Sequence, residues 1–217
     1  MEEKKKRIRE KPEEKLIRLT QIENGLWAQG KRIAGIDEVG RGPLAGPVVT
    51  ACVSIPKDRL VLGVDDSKKL SEKRRESLYD ILREAADYCE VSFIGPEVID
   101  EINILNATRR AMEICSAGFS GTFLIDVVTG LQLPGEAMPL VHGDALSYMI
   151  GAASIIAKVS RDRYMIELYK KYPMYGFARN KGYGTKEHIE ALKKYGPCPE
   201  HRRSFIGGIL AAAGEKK

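Results

Sequence analysis

The chain has 217 residues, 43% hydrophobic and 30% charged, with a formal net charge of +5. That size and apolar content suit one large domain with small appendages and exclude a globally disordered chain. No apolar run reaches the length of a membrane span, residues 1–15 are charged rather than signal-like, and the four cysteines are scattered. A cytoplasmic protein with no membrane partner, disulfide or zinc cluster is therefore expected.

In chain order, residues 2–29 are rich in Glu, Lys and Arg and carry Leu16, Leu19, Ile22, Leu26 and Trp27 at helical spacing. This predicts a helix over 13–29, with Pro12 near its first turn and a frayed, charged end before it. Strands follow at 32–38 and 46–55, then a loop with Asp65-Asp66-Ser67-Lys68-Lys69-Leu70 and a helix over 72–86 capped by Ser71. A third strand is predicted at 89–94, a short helix at 96–103 and another at 106–117, ended by Gly118 to Gly121. Residues 122–127 read as a buried strand that ends in an acid, and 139–141 as a short strand leading to His142-Gly143-Asp144. One long helix over 145–172 begins with small residues (Gly151, Ala152, Ala153, Ser154, Ala157), which lets it approach a sheet closely. Beyond Pro173 come a glycine-rich stretch, a short helix over 186–195 and a basic tail. Three strands on short links, then strands separated by helices, imply a mixed sheet flanked by helices.

Residues 36–47 carry most of the chemistry. Asp37 and Glu38 close an apolar strand, and Gly40-Arg41-Gly42 follows at once. Carboxylates at a strand end suit a hard divalent cation, and a bare backbone beside a guanidinium suits a phosphodiester. Dinucleotide and P-loop readings fail, because Pro47 to Val53 continues as a strand rather than a helix. An ordinary hairpin with surface acids is the competing reading of this segment alone.

Asp126 ends a later strand and Asp144 precedes the long helix, so four carboxylates converge if neighbouring strand ends point the same way. Such a cluster is costly unless cations compensate it, and oxygen-only ligation favours Mg²⁺ or Mn²⁺. Charge is also asymmetric: residues 158–217 hold 14 Lys+Arg against 6 Asp+Glu, whereas residues 1–157 hold 21 against 24. A basic C-terminal quarter beside an acidic region suits a polyanion-binding metalloenzyme, although a solvated tail would look the same.

The run Gly35 to Val48 resembles the signature of ribonuclease HII. So do Asp66-Ser67-Lys68-Lys69-Leu70-Ser71, Leu124-Ile125-Asp126, His142 to Ser147, Ala152 to Val159 with Arg161-Asp162, Lys181 to Thr185 and His201 to Phe205. These motifs lie in family order and span residues 33–206. The resemblance implies a ribonuclease H-like α/β fold: a mixed five-stranded sheet flanked by helices, with a helical C-terminal extension. It implies a charged helical extension over 1–30, a catalytic domain over 31–172 and a basic helical segment over 173–217 packed on it. It also implies cleavage of RNA in RNA–DNA hybrids, incision at single ribonucleotides in duplex DNA, and two Mg²⁺ or Mn²⁺ ions per site.

Carried over residue by residue, Asp37, Glu38, Asp126 and Asp144 match the family's catalytic, metal-binding carboxylates. Gly40, Arg41 and Gly42 match the loop at the ribonucleotide's 2′-OH, and Tyr183 matches the tyrosine that stacks near the following deoxyribose. Lys68, Lys158, Arg161, Lys181, His201, Arg202 and Arg203 are candidate phosphate contacts, with surface solvation or stem packing as the alternative for each. Asp162 is expected to pair with an arginine on the long helix, and Ser147 to cap its first turn. The pattern departs from the family at Val127 (usually glycine), His142 (commonly lysine), Asn180 (commonly histidine) and Phe205 to Gly208 (no proline), leaving all four acids in place. Two rivals share the acids or the binding: ribonuclease HIII and a catalytically silent hybrid-binding protein. A monomer is the expected state.

Overall fold

The computed structural model describes residues 10–126 and 128–214. The charged start of the chain (residues 1–9), Val127 and the end of the basic tail (residues 215–217) lie outside the described residues.

Two short helices, α1 (Pro12–Leu19) and α2 (Gln21–Trp27), open the described chain. One helix was expected here. It breaks because Thr20 turns its hydroxyl back to donate to the Leu16 carbonyl at 2.8 Å, with the backbone at φ −98, ψ 9. Short polar side chains compete for backbone acceptors in this way and weaken helix interiors. Pro12 takes the first turn of α1, as expected.

The sheet consists of β1 (Ile33–Val39), β2 (Val48–Ser54), β3 (Tyr88–Ile94), β4 (Thr122–Asp126) and β5 (Glu136–Leu140), in the spatial order β3-β2-β1-β4-β5. β1 runs antiparallel to β2 and parallel to β4, so it is the seam of a mixed sheet. α3 (Glu72–Ala85) starts at Ser71, whose hydroxyl accepts from the Arg74 amide at 3.3 Å. α4 (Pro96–Ser116) contains the two short helices expected from the sequence, kinked at Asn103 with φ 65. β5 begins three residues before the expected strand, on the sheet edge where Pro139 is tolerated.

The long helix was expected in one piece from 145 to 172. Instead α5 (Gly143–Leu146) and α6 (Tyr148–Lys171) are separated by Ser147, which is extended at φ −118, ψ 130. The Ser147 hydroxyl accepts from the Ile150 amide at 3.2 Å and caps α6, the capping role its position predicted.

Side chains alternate across β1. Ile33 and Gly35 face α6, while Ala34 and Ile36 face a second core under α4 that includes Met112, Cys115, Phe119 and Phe123. The first ten residues of α6 are all buried. Small side chains there let it lie directly on the sheet: a Cβ on Gly35 would sit 2.1 Å from the Met149 carbonyl carbon. This approach fixes the height of α6 over the end of β1.

Downstream lie α7 (Phe177–Asn180), α8 (Lys186–Tyr195) and α9 (Arg203–Gly214). α7 and α8 pack on the outer half of α6 in a cluster with Met165, Leu168, Tyr175, Phe177 and Cys198, with Tyr169 and Tyr172 alongside, while Phe205 of α9 packs against Ile99, Ala107 and Ala111 of α4. The cysteines are free thiols, three buried and one partly so.

Gly35→Ala should force β1 and α6 apart and cost about 3 kcal/mol, in the range of overpacked cores. Urea denaturation at neutral pH measures it. A loss below about 1 kcal/mol would mean that the helix is not held against the strand.

Candidate active site

β1 and β4 end in acids at the same edge of the sheet. Their parallel register pairs Ile36 with Ile125, so Asp37 and Asp126 are the next residues on adjacent strands, both on the α6 face. β5 extends the parallel order, pairing Leu140 with Asp126. The chain then turns through His142, left-handed at φ 58, into α5, which carries Asp144. The Gly143 amide donates to Asp126 Oδ1 at 3.4 Å and ties this turn to the end of β4.

Glu38 follows on the other side of the strand and meets Arg41 Nη1 at 3.4 Å. Lys68 reaches in from a 3-10 turn, Ser67–Lys69, with its ammonium 3.6 Å from Asp144 Oδ2. Ser67 and Ser154 share a hydrogen bond at 2.8 Å, and the Ser154 hydroxyl also faces Asp37.

Burial, reinforced by the Glu38 charge, pushes Asp37 up to about 8, against Ser154 and Lys68. Burial also raises Glu38; Arg41 opposes the rise and Asp126 adds to it. Burial works against the Lys68 charge, yet Asp144, Asp66 and Asp37 together raise its pKa. The cluster is thus short of positive charge. Among the described residues no three His, Cys, Asp or Glu side chains form a ready-made metal cage. An all-oxygen, open, electron-rich edge fits hard cations that keep water and phosphate oxygens in their shell, such as Mg²⁺ or Mn²⁺.

The loop between β1 and β2 is built around two buried guanidiniums. Arg161 donates to the carbonyls of Pro47, Ala45 and Lys181, at 2.9, 3.1 and 2.9 Å. Arg202 donates to those of Gly46, Arg41 and Gly40, at 3.0, 2.9 and 2.6 Å. In a trans peptide the carbonyl and the next amide point in opposite directions. With the Gly40 and Arg41 carbonyls on Arg202, the amides of Arg41 and Gly42 are aimed away from it. Gly40 has φ +91, and a Cβ there would lie 2.3 Å from Arg161 Nε, so glycine is required.

The C-terminal segment is stitched to the same loop. Leu44 donates to the Gly182 carbonyl at 2.8 Å and accepts from the Arg202 amide at 2.9 Å. This brings Tyr183, 42% exposed, beside the loop, with its ring 4.0 Å from a Cβ built on Gly42.

The basic residues proposed as phosphate contacts divide into three groups. Arg161, Arg202 and His201 are corrected: all three are buried and spend their polar atoms inside the protein. Lys158 pairs with Asp162 at 2.7 Å, and Lys181 turns its ammonium to the Ala178 carbonyl at 2.6 Å. Lys68 and Arg203 are the candidates at the surface. Asp162 pairs with Lys158 and with Arg75 of α3, rather than with an arginine on its own helix. Asn180 bridges its turn, donating to the Tyr175 carbonyl at 2.7 Å and accepting from the Gly182 amide at 2.8 Å.

His201 continues inward as a chain of hydrogen bonds. The Cys198 amide donates to His201 Nδ1 at 3.0 Å, the two Nε2 atoms of His201 and His188 are 3.1 Å apart, and His188 Nδ1 meets the Tyr183 carbonyl at 2.9 Å. Two neutral rings satisfy every link if His188 carries its proton on Nδ1 and His201 on Nε2. Ser67 and Ser154 were visible in the sequence only as members of the quoted motifs, with no role assigned, His201 only as a candidate phosphate contact, and His188 not at all.

The sequence model of the family described as Ribonuclease HII matches residues 34–119 and 123–207. A Ribonuclease HII from Caldanaerobacter subterraneus subsp. tengcongensis is 49% identical over 192 residues, covering 87% of this chain and 80% of that protein. One from Acetivibrio thermocellus is 51% identical over 212 residues, covering 96% and 83%. The crystal structure of the ribonuclease H2 from Pyrococcus horikoshii OT3 superposes with a TM-score of 0.71 at 27% identity, covering 85% of this chain and 99% of that one.

The histidine pair predicts acid sensitivity. Burial, then the neighbouring His188, holds His201 down to about 4, and burial lowers His188 as well. Between about 6.5 and 4 the unfolded chain binds more protons than the folded one, so this stabilisation is full above 6.5 and lost as pH falls through that window. For His201 the loss is on the order of 3 kcal/mol. Asp37 acts in the opposite sense, so the histidine share is read as the wild-type minus His201→Asn difference in urea midpoints at pH 7.5 and pH 5. An unchanged difference would remove the buried neutral pair from the account.

Proposed function

The chain belongs to the ribonuclease HII family and is a nuclease hydrolase, and from that premise we propose that it hydrolyses the RNA strand of RNA–DNA hybrids and incises duplex DNA 5′ of single embedded ribonucleotides. The products are 5′-phosphate and 3′-hydroxyl ends, because the nucleophile is water rather than the neighbouring 2′-OH. The reading is carried by one observation: the acids of β1, β4 and α5, the Gly40-Arg41-Gly42 loop and Tyr183 share one edge, with Arg41 bridging from the loop to Glu38 at 3.4 Å.

Asp37, Glu38, Asp126 and Asp144 are the residues that would hold two Mg²⁺ or Mn²⁺ ions. Such ions supply an activated water and offset charge at the leaving 3′-oxygen. Asp37, pushed up to about 8 by burial and by the Glu38 charge, is a carboxyl whose ionised form a cation would favour.

The 2′-OH is the group that distinguishes a ribonucleotide, and reading it needs a donor or acceptor at fixed distance without reference to the base. Amides of Arg41 and Gly42, held outward by the anchored carbonyls, suit that task. Tyr183 offers an exposed ring beside them for the following sugar, where a second 2′-OH would clash. Little base preference follows. Lys68 and Arg203 are the side chains best exposed for phosphates, and the charge excess of residues 158–217 draws the duplex in. Among the described residues no helix is long and apolar enough to cross a membrane. A cytoplasmic monomer acting in ribonucleotide removal and replication is the setting proposed.

On a labelled DNA duplex with one internal ribonucleotide, the protein should cut on its 5′ side with Mg²⁺ or Mn²⁺ and stop on addition of EDTA. Asp37→Asn should lower the rate by on the order of 10³-fold while duplex binding stays within a few fold. Cleavage that survives this change would move the chemistry elsewhere, and a protein that binds but never cuts would favour a silent hybrid-binding role. Tyr183→Ala should lower single-ribonucleotide incision about 10-fold more than cleavage of a long hybrid tract. Equal losses on both substrates would take junction reading away from Tyr183.

A further inference from the structure

Glu23 is a carboxyl with no apparent reason to be inside the protein. It sits in α2, fully buried, far in sequence from the acids of the sheet edge. Its Oε1 accepts from the Ser147 hydroxyl at 2.6 Å and from the Met149 amide at 3.1 Å. Among the described residues its Oε2 is the one buried side-chain oxygen or nitrogen with no hydrogen-bond partner. A buried acid left half satisfied is costly, so it calls for a function that offsets the cost.

The two groups it grips define the break between α5 and α6. The Ser147 hydroxyl donates to Glu23 and, so oriented, accepts from the Ile150 amide to cap α6. Asp144 lies three residues before Ser147, and Ser154, which faces Asp37, lies seven residues after it. The angle between the two helices therefore sets Asp144 relative to Asp37.

Two further contacts from the same N-terminal helices close on this turn. Arg18 Nη1 donates to the Ala145 carbonyl at 3.0 Å, the residue next to Asp144. Lys15 pairs with Asp65, directly before the turn whose Lys68 pairs with Asp144.

We infer that the N-terminal helix pair is a brace for the Asp144 turn, and that Glu23 is its positioning residue. This rests on the reading that Asp144 serves the metal-dependent site. The brace acts through backbone and hydroxyl contacts: Glu23 fixes the start of α6, Arg18 fixes the body of α5, and Lys15 fixes the loop that delivers Lys68. Burial raises the Glu23 acid above its ordinary value, against the bonds from Ser147 and Met149. A glutamine side-chain oxygen would accept the same two bonds without a charge.

The test is Mn²⁺ binding to the full-length protein without substrate, followed by kcat and KM on the single-ribonucleotide duplex. Glu23→Ala should weaken Mn²⁺ affinity about 10-fold and lower kcat by a similar factor, with KM unchanged. Glu23→Gln should restore both to within about twofold, and Arg18→Ala should weaken Mn²⁺ binding about threefold. Arg18 is exposed, so that variant keeps the inference testable if Glu23→Ala does not fold. Folded variants that lose thermal stability but keep Mn²⁺ affinity and kcat would overturn the brace and leave a packing role. Asp144→Asn separates the premise: normal metal binding and cleavage in that variant would sink the reading of Asp144 itself, whatever Glu23 does.

Discussion

Arg161 and Arg202 are solvated by the backbone of one loop, and the layout of the site follows from that. A guanidinium taken from water must replace its hydration, and each of these finds three carbonyl oxygens in or beside residues 40–47. Drawing carbonyls inward turns the intervening amides outward, converting a glycine-rich connection into a rigid rim of donors. Because Arg161 belongs to α6 and Arg202 precedes α9, the same bonds join the sheet edge to the long helix and to the C-terminal helices. Burial and the Arg161 charge lower the pKa of Arg202, a strain accepted in return for a loop with one geometry.

The acids depend on a second constraint, the contact of β1 with α6 at Gly35. That contact places Ser154 over Asp37, while the parallel pairing of β1 with β4 places Asp126 beside it. Like charges at such an edge raise one another, and the fold answers with partial compensation from Lys68, Arg41 and Ser154 rather than with full neutralisation. Leaving the edge short of positive charge gives a cation a reason to bind there. The N-terminal helices complete the frame from outside, meeting the Asp144 turn through Arg18 and the start of α6 through Glu23.

Much of this was legible in the chain. Hydrophobic period, strand-ending acids and the cap at Ser71 located the strands and α3 to within a few residues, because those signals are local and repeat along the backbone. Two helix breaks were missed. At Thr20 and Ser147 the competing interaction is a hydroxyl with a backbone or distant carboxyl partner, which periodicity does not register. Arg161, His201 and Arg202 were read as phosphate ligands because a sequence displays charge without burial. In the structure all three are interior groups: Arg161 and Arg202 bond to the carbonyls of the loop, and His201 reaches Tyr183 through His188.

The sequence by itself determined the family to which the chain belongs and the order in which the elements occur, since motif content and side-chain period are properties of the chain. Tertiary structure alone decided which charges face outward, which arginines hold the loop, and that Glu23 reaches the start of α6 across 124 residues of sequence. The physical reason is that desolvation and long-range hydrogen bonding depend on what packs around a group. Neighbours in space, unlike neighbours in sequence, exist only after the chain has folded.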